Sequence, residues 1–135
     1  MFTKSALTLT EANQLVEAAM TEAKQQGWSV AVAVVDDGGH LLAMQRMESC
    51  SAVSAYIAIE KARSAALGRR ETKVYEDMIN NGRNAFLSVP VITATMEGGV
   101  PVMHEGHVVA AIGVSGVKPD QDAQVAKAGV AAFSA

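Results

Sequence analysis

Between Leu9 and Ala23 the apolar residues Ala12, Leu15, Val16, Ala19, Met20 and Ala23 return at intervals of three and four, which predicts an amphipathic helix. Thr8 precedes it with Glu11 three positions on, a capping-box pattern, and Gly27 ends it. From Trp28 to Val35 the helical period vanishes. The run WSVAVAVV is β-branched, continuously apolar and too short for a core helix, so it predicts a strand buried on both faces. Asp36-Asp37-Gly38-Gly39 then turns the chain, and His40 to Arg46 predicts a second strand that closes a hairpin.

Helical composition returns after Ser51, carried by Val53, Tyr56, Ile57, Ile59, Glu60 and the stretch from Ala62 to Leu67, and Gly68 closes it. Thr72 is placed to cap a shorter helix from Val74 to Asn80, which Asn81-Gly82 breaks. The remainder alternates strand and turn signals. Val89 to Thr95 predicts a strand, Gly98-Gly99 a turn, and Val100 to His104 an edge segment in which Pro101 is tolerated. Glu105-Gly106 is a two-residue turn before an apolar strand from His107 to Val114. Pro119 and Asp120 open a last helix from Gln121 to about Phe133. Hairpin links instead of helical crossovers imply a mainly antiparallel sheet of about five strands, an α/β fold of the α+β type.

Composition narrows the function classes. A chain of 135 residues, half of them hydrophobic, suits one domain spanning residues 1–135. Its aromatics are few, so Val, Ile, Leu, Ala and the seven Met must build the core. The net charge is −3 and the eleven Lys and Arg are dispersed, which argues against a nucleic-acid interface. No apolar run reaches the roughly 18–20 residues of a membrane span. The N-terminus lacks the charged-then-apolar order of a signal peptide. Cys50 stands alone, excluding an internal disulfide and fitting a reducing compartment, so a cytoplasmic location is expected.

Four strings taken in order, AVAVVDDGGHLLAMQRM, AIEKARSAAL, EGGVPVMHEGHVVAAIGVSG and QDAQVAKAG, resemble the GlcG/HbpS-like family of small bacterial proteins. That family also includes the C-terminal domain of some cobalamin adenosyltransferases. The resemblance runs from about Leu9 to Ala132. It implies a five-stranded antiparallel sheet of the profilin-like kind with helices packed on it, and a homo-oligomer. Some members bind haem, while others accompany catabolic genes. Haem ligation in the family is associated with the first helix or nearby polar groups. Here that helix has no His, which leaves Met20 as its candidate ligand.

The individual residues carry several readings. Asp36 and His40 lie across a tight hairpin, where they suit proton transfer or simple bonding of the turn amides. Lys61 sits between Ile59 and Ala62 on the second helix; buried, it is a candidate base or carboxylate anchor, and otherwise a salt-bridge partner. Arg63, two residues on, is a second carboxylate anchor. Gly98, Gly99 and Val100 in one loop, with Ser115 and Gly116 in another, offer backbone amides to a ligand or serve as turns demanded by the fold. Ser115 lacks the GxSxG setting of a hydrolase nucleophile. His104 and His107 flank the Glu105-Gly106 turn as a possible metal pair or as solvated turn residues, and no metal site is assigned. Asp122 suits the first turn of the last helix.

The expectation is a small-ligand-binding homo-oligomer whose ligand is haem, a related tetrapyrrole or an acidic catabolic intermediate. The alternatives are a catabolic enzyme with Asp36 or Lys61 as general base, and an accessory oligomer without a ligand.

Overall fold

The computed structural model describes residues 1–134, so Ala135, the last position of the expected domain, lies outside the described residues. Helix α1 (Leu9–Gln26) leads into strands β1 (Ala31–Asp36) and β2 (Leu41–Arg46), followed by helices α2 (Ala52–Gly68) and α3 (Thr72–Asn80). A short 3₁₀ turn, Asn84–Ser88, precedes strands β3 (Gly99–His104) and β4 (His107–Ser115), and helix α4 (Pro119–Ser134) ends the fold.

Both halves of the expected capping box are present at α1: the Thr8 hydroxyl accepts from the Glu11 amide at 3.1 Å, and the Glu11 carboxylate accepts from the Thr8 amide at 2.9 Å. Gly27 ends the helix at φ 74°. The strands form one antiparallel sheet in the order β2-β1-β4-β3. Its long central strand β4 pairs with β1 on one side and β3 on the other.

The sheet is covered on both faces. Val30, Val32 and Val34, with Ile112 and Val114, point towards α1 and α4 and meet Leu15, Val16, Ala19 and Val125. Ala31, Ala33 and Val35, with Ala111, point towards α2 and meet Ala58, Ala62, Ala65 and Ala66. This two-sided cover explains why β1 shows no polar alternation. The small residues on the second face let α2 lie almost on the sheet. A Cβ at Gly113 would collide with the Ala58 carbonyl and stand 2.5 Å from the Ala62 amide nitrogen. Gly99, the cross-strand partner of Gly113, carries the Lys61 carbonyl in the same way.

Two expectations need correction. Among the described residues the sheet has four strands where five were expected. The segment expected as a strand from Val89 to Thr95 instead runs as loop beyond the 3₁₀ turn, with no ladder partner among the described residues. Val91 and Ala94 take positive φ (62° and 48°), which breaks extended geometry. Ser64 of α2 then satisfies the Thr93 backbone from both sides, its hydroxyl donating to the carbonyl at 2.6 Å and accepting from the amide at 2.9 Å. A side chain thus replaces the missing strand partner. The second correction concerns Thr72, expected as a cap. Glu71 holds the N-cap position, while the buried Thr72 hydroxyl accepts from the Gly99 amide at 2.8 Å and ties α3 to β3.

Candidate functional site

The residues singled out from the sequence separate into two groups at opposite ends of the sheet, with Met20 in neither. At the end where β4 leaves the sheet, Lys61 is buried and donates to the Asp122 carboxylate and to the Val114 carbonyl, each at 3.0 Å. Gly98 makes room for this pair, because a Cβ there would lie 2.7 Å from the Lys61 nitrogen. Val100 and Ser115 are buried at the same end of the sheet, in their strands. Gly116 takes φ 147° and presses on Ser29, whose carbonyl a Cβ would strike. The Asp122 carboxylate also accepts from the Val117 amide at 3.2 Å, so it caps the approach to α4 as well as pairing. Burial, the largest influence on Asp122, holds its carboxyl above the usual carboxylate value although Lys61 pulls it down.

The opposite end carries the β1–β2 turn. One Asp36 oxygen accepts from the Gly38 and His40 amides, each at 2.9 Å, and lies 3.1 Å from the His40 ring nitrogen Nδ1. Burial pushes the Asp36 carboxyl up, but the hydrogen bonds from His40 and Gly38 outweigh it, so the group stays below its usual value. Arg63 donates to the Gly39 carbonyl at 3.3 Å and pairs with Glu60, whose other oxygen accepts from the Thr93 hydroxyl at 2.8 Å. Asp36 and Arg63 thus both brace this hairpin. Met20 is buried in the core between the first helix and the sheet, 7% exposed.

A cavity of about 470 Å³ opens at this same end, inside the roughly 300–1,000 Å³ usual for small-molecule sites. Its walls come from the N-terminal segment (Phe2 to Ser5), Asp37, the end of α2 (Ala66 and Arg69) and the β3–β4 turn (Met103 and Gly106 to Val108). Lys4 and Asp37 close one side with a 2.6 Å ion pair. His107 and Arg69 bring an imidazole and a guanidinium to the same space, and Met103 a thioether. His104 and His107 are cross-strand partners at the turn. No group of three or more His, Cys, Asp or Glu able to hold a metal ion occurs among the described residues.

Over residues 7–131 the sequence matches the family described as haem-degrading protein HbpS-like. The chain belongs to that family. Protein GlcG of Escherichia coli strain K12 is 54% identical over 115 residues, 85% of each chain. A double mutant of Streptomyces reticuli HbpS superposes with a TM-score of 0.88 at 32% identity, over 97% of this chain and 89% of that one. A PduOC–haem complex superposes with a TM-score of 0.84 at 28% identity, over 95% of both chains. The HbpS-like α+β fold therefore holds here, with four strands and four helices among the described residues.

As a candidate for chemistry, sequence patterns singled out only His107 of the cavity lining, through its turn with His104, while Asp37 and Gly106 were read as turn residues. The cavity is assembled from the N-terminal segment, one helix end and two hairpin turns, whose separations along the chain leave no local motif.

Proposed function

We propose that this chain binds haem or a related tetrapyrrole in the cavity at the hairpin end of the sheet. The observation that carries the reading is the lining itself: His107, Met103 and Arg69, unpaired among the described residues, share a cavity of about 470 Å³ in a chain of the HbpS-like family. That donor set fits the group, since imidazole and thioether suit iron and cationic side chains suit propionates. His107 would hold the iron in this reading, with Met103 on the same wall. Bound haem supplies redox and small-gas chemistry at its iron. The protein's part would be to hold the macrocycle's edge and to present one imidazole nitrogen.

Met20 stays a core residue in this reading, and Lys61 stays with Asp122. Neither contributes to the cavity wall. The HbpS-like relatives support a small-molecule partner, and no helix among the described residues is long and apolar enough to cross a membrane. The reducing compartment inferred from a lone cysteine accords with Cys50 being a buried free thiol. Assembly into a homo-oligomer would use the outer face of α2, where Val53 and Tyr56 are exposed. Sedimentation of wild type against Tyr56→Asp checks this; an unchanged mass removes that face.

A haemin titration of the full chain followed by visible absorbance tests the ligand. A saturable Soret shift is expected, weakened and moved in wavelength by His107→Ala and unaltered by Met20→Leu. A flat titration, or a Soret band lost only in Met20→Leu, would reject the site.

A further inference from the structure

Arg69 ends α2 in the left-handed region, at φ 58° and ψ 40°. A residue with a Cβ is strained there, and helices ordinarily place glycine at that position. A glycine is adjacent but committed. A side chain on Gly68 would collide with the hydroxyl of buried Tyr75, so Gly68 serves that packing and the strained position falls to Arg69.

The Arg69 guanidinium has no partner among the described residues. Its two neighbours in kind are engaged: Arg63 with Glu60 and the Gly39 carbonyl, Arg70 with the Gly68 carbonyl and the face of Tyr75. Lys4, the other cation on the cavity wall, is neutralised by Asp37. The cavity therefore holds one uncommitted guanidinium, delivered by a backbone conformation that a glycine would adopt at lower cost. Strain of this kind clusters at active sites and ligand clamps.

We propose that Arg69 is the carboxylate anchor of this cavity and that the ligand it accepts carries at least one carboxylate. This inference rests on the use of the cavity proposed above and adds its selectivity. A planar guanidinium takes a carboxylate through two parallel hydrogen bonds, which sets orientation as well as affinity. His107 on the same wall then faces the remainder of the ligand.

The test compares haemin with haemin dimethyl ester, whose carboxylates are blocked, on wild type and Arg69→Gly. Wild type should bind haemin at least about tenfold more tightly than the diester, and Arg69→Gly should abolish the preference. The same variant should melt about 3 °C higher, because glycine relieves the left-handed strain. An Arg69 that matters only to the helix end would give the higher melting temperature with the preference intact, and that result overturns the proposal. So does equal binding of haemin and diester by wild type. Succinate separates this inference from the haem reading. If haemin fails to bind yet succinate raises the wild-type melting temperature and loses that effect in Arg69→Gly, haem is rejected while the anchor stands. If neither ligand acts on wild type, both fall.

Discussion

Lys61 on α2 and Asp122 on α4 form a buried ion pair at 3.0 Å although their helices cover opposite faces of the sheet. The contact joins the two outer layers past Gly98, where no side chain intervenes. Both side chains are at most 3% exposed, so the pair is worth little as net attraction but costly to break. Asp122→Ala should destabilise the fold by about 3–5 kcal/mol by stranding the ammonium. Lys61→Met with Asp122→Leu should restore most of that loss, measured by urea unfolding of the single and double variants. A double variant no better than the worse single would show that the pair is not the source of the cost.

Gly113 should be intolerant of any side chain. Gly113→Ala forces the Ala58 to Ala62 turn of α2 off the sheet, a change expected to cost about 3 kcal/mol or to prevent folding. Gly82→Ala offers a contrast. Nothing lies within 4 Å of a Cβ there, and only the positive φ of 98° opposes it. Thermal melts of both variants check the ranking.

Asp36 makes the hairpin sensitive to acid. Its carboxyl lies below the ordinary value of 3.8 in the folded chain, because the His40 and Gly38 hydrogen bonds outweigh burial. The unfolded state therefore binds the proton more readily, and the stabilisation is complete above about pH 4 and lost as pH falls through the folded value. In Asp36→Asn this part of the acid dependence should flatten, visible as a smaller fall in melting temperature below pH 4 than in wild type. An identical pH profile would dismiss the contribution.

The capping box at α1 is exposed and local, so its removal gives a graded loss. Thr8→Ala should cost about 1 kcal/mol, with Thr8→Ser nearly neutral, read from urea midpoints at constant slope.

Local chemistry explains what was legible without the fold. The three-and-four spacing of α1 with its Thr8–Glu11 box, the unbroken apolar run of β1, and the glycine turns at Asp36 to Gly39 and Glu105-Gly106 each act over a few residues. The motifs that resemble the HbpS-like family lie on these same elements, and residues 7–131 match it.

The sequence by itself determined the antiparallel α+β class, the hairpins, three of the helices nearly to their ends and the family. Tertiary structure decided the rest, because the deciding partners are far apart in the chain. Ser64 satisfies the backbone of Thr93 across 29 positions, which turns an expected strand into a loop. Asp122 claims Lys61 from 61 positions away, turning a candidate base into a tie between layers. Gly68 is occupied by Tyr75, which leaves Arg69 in the left-handed position at the cavity wall. Periodicity reports which face of an element is buried; only the packed layers determine which side chains meet there.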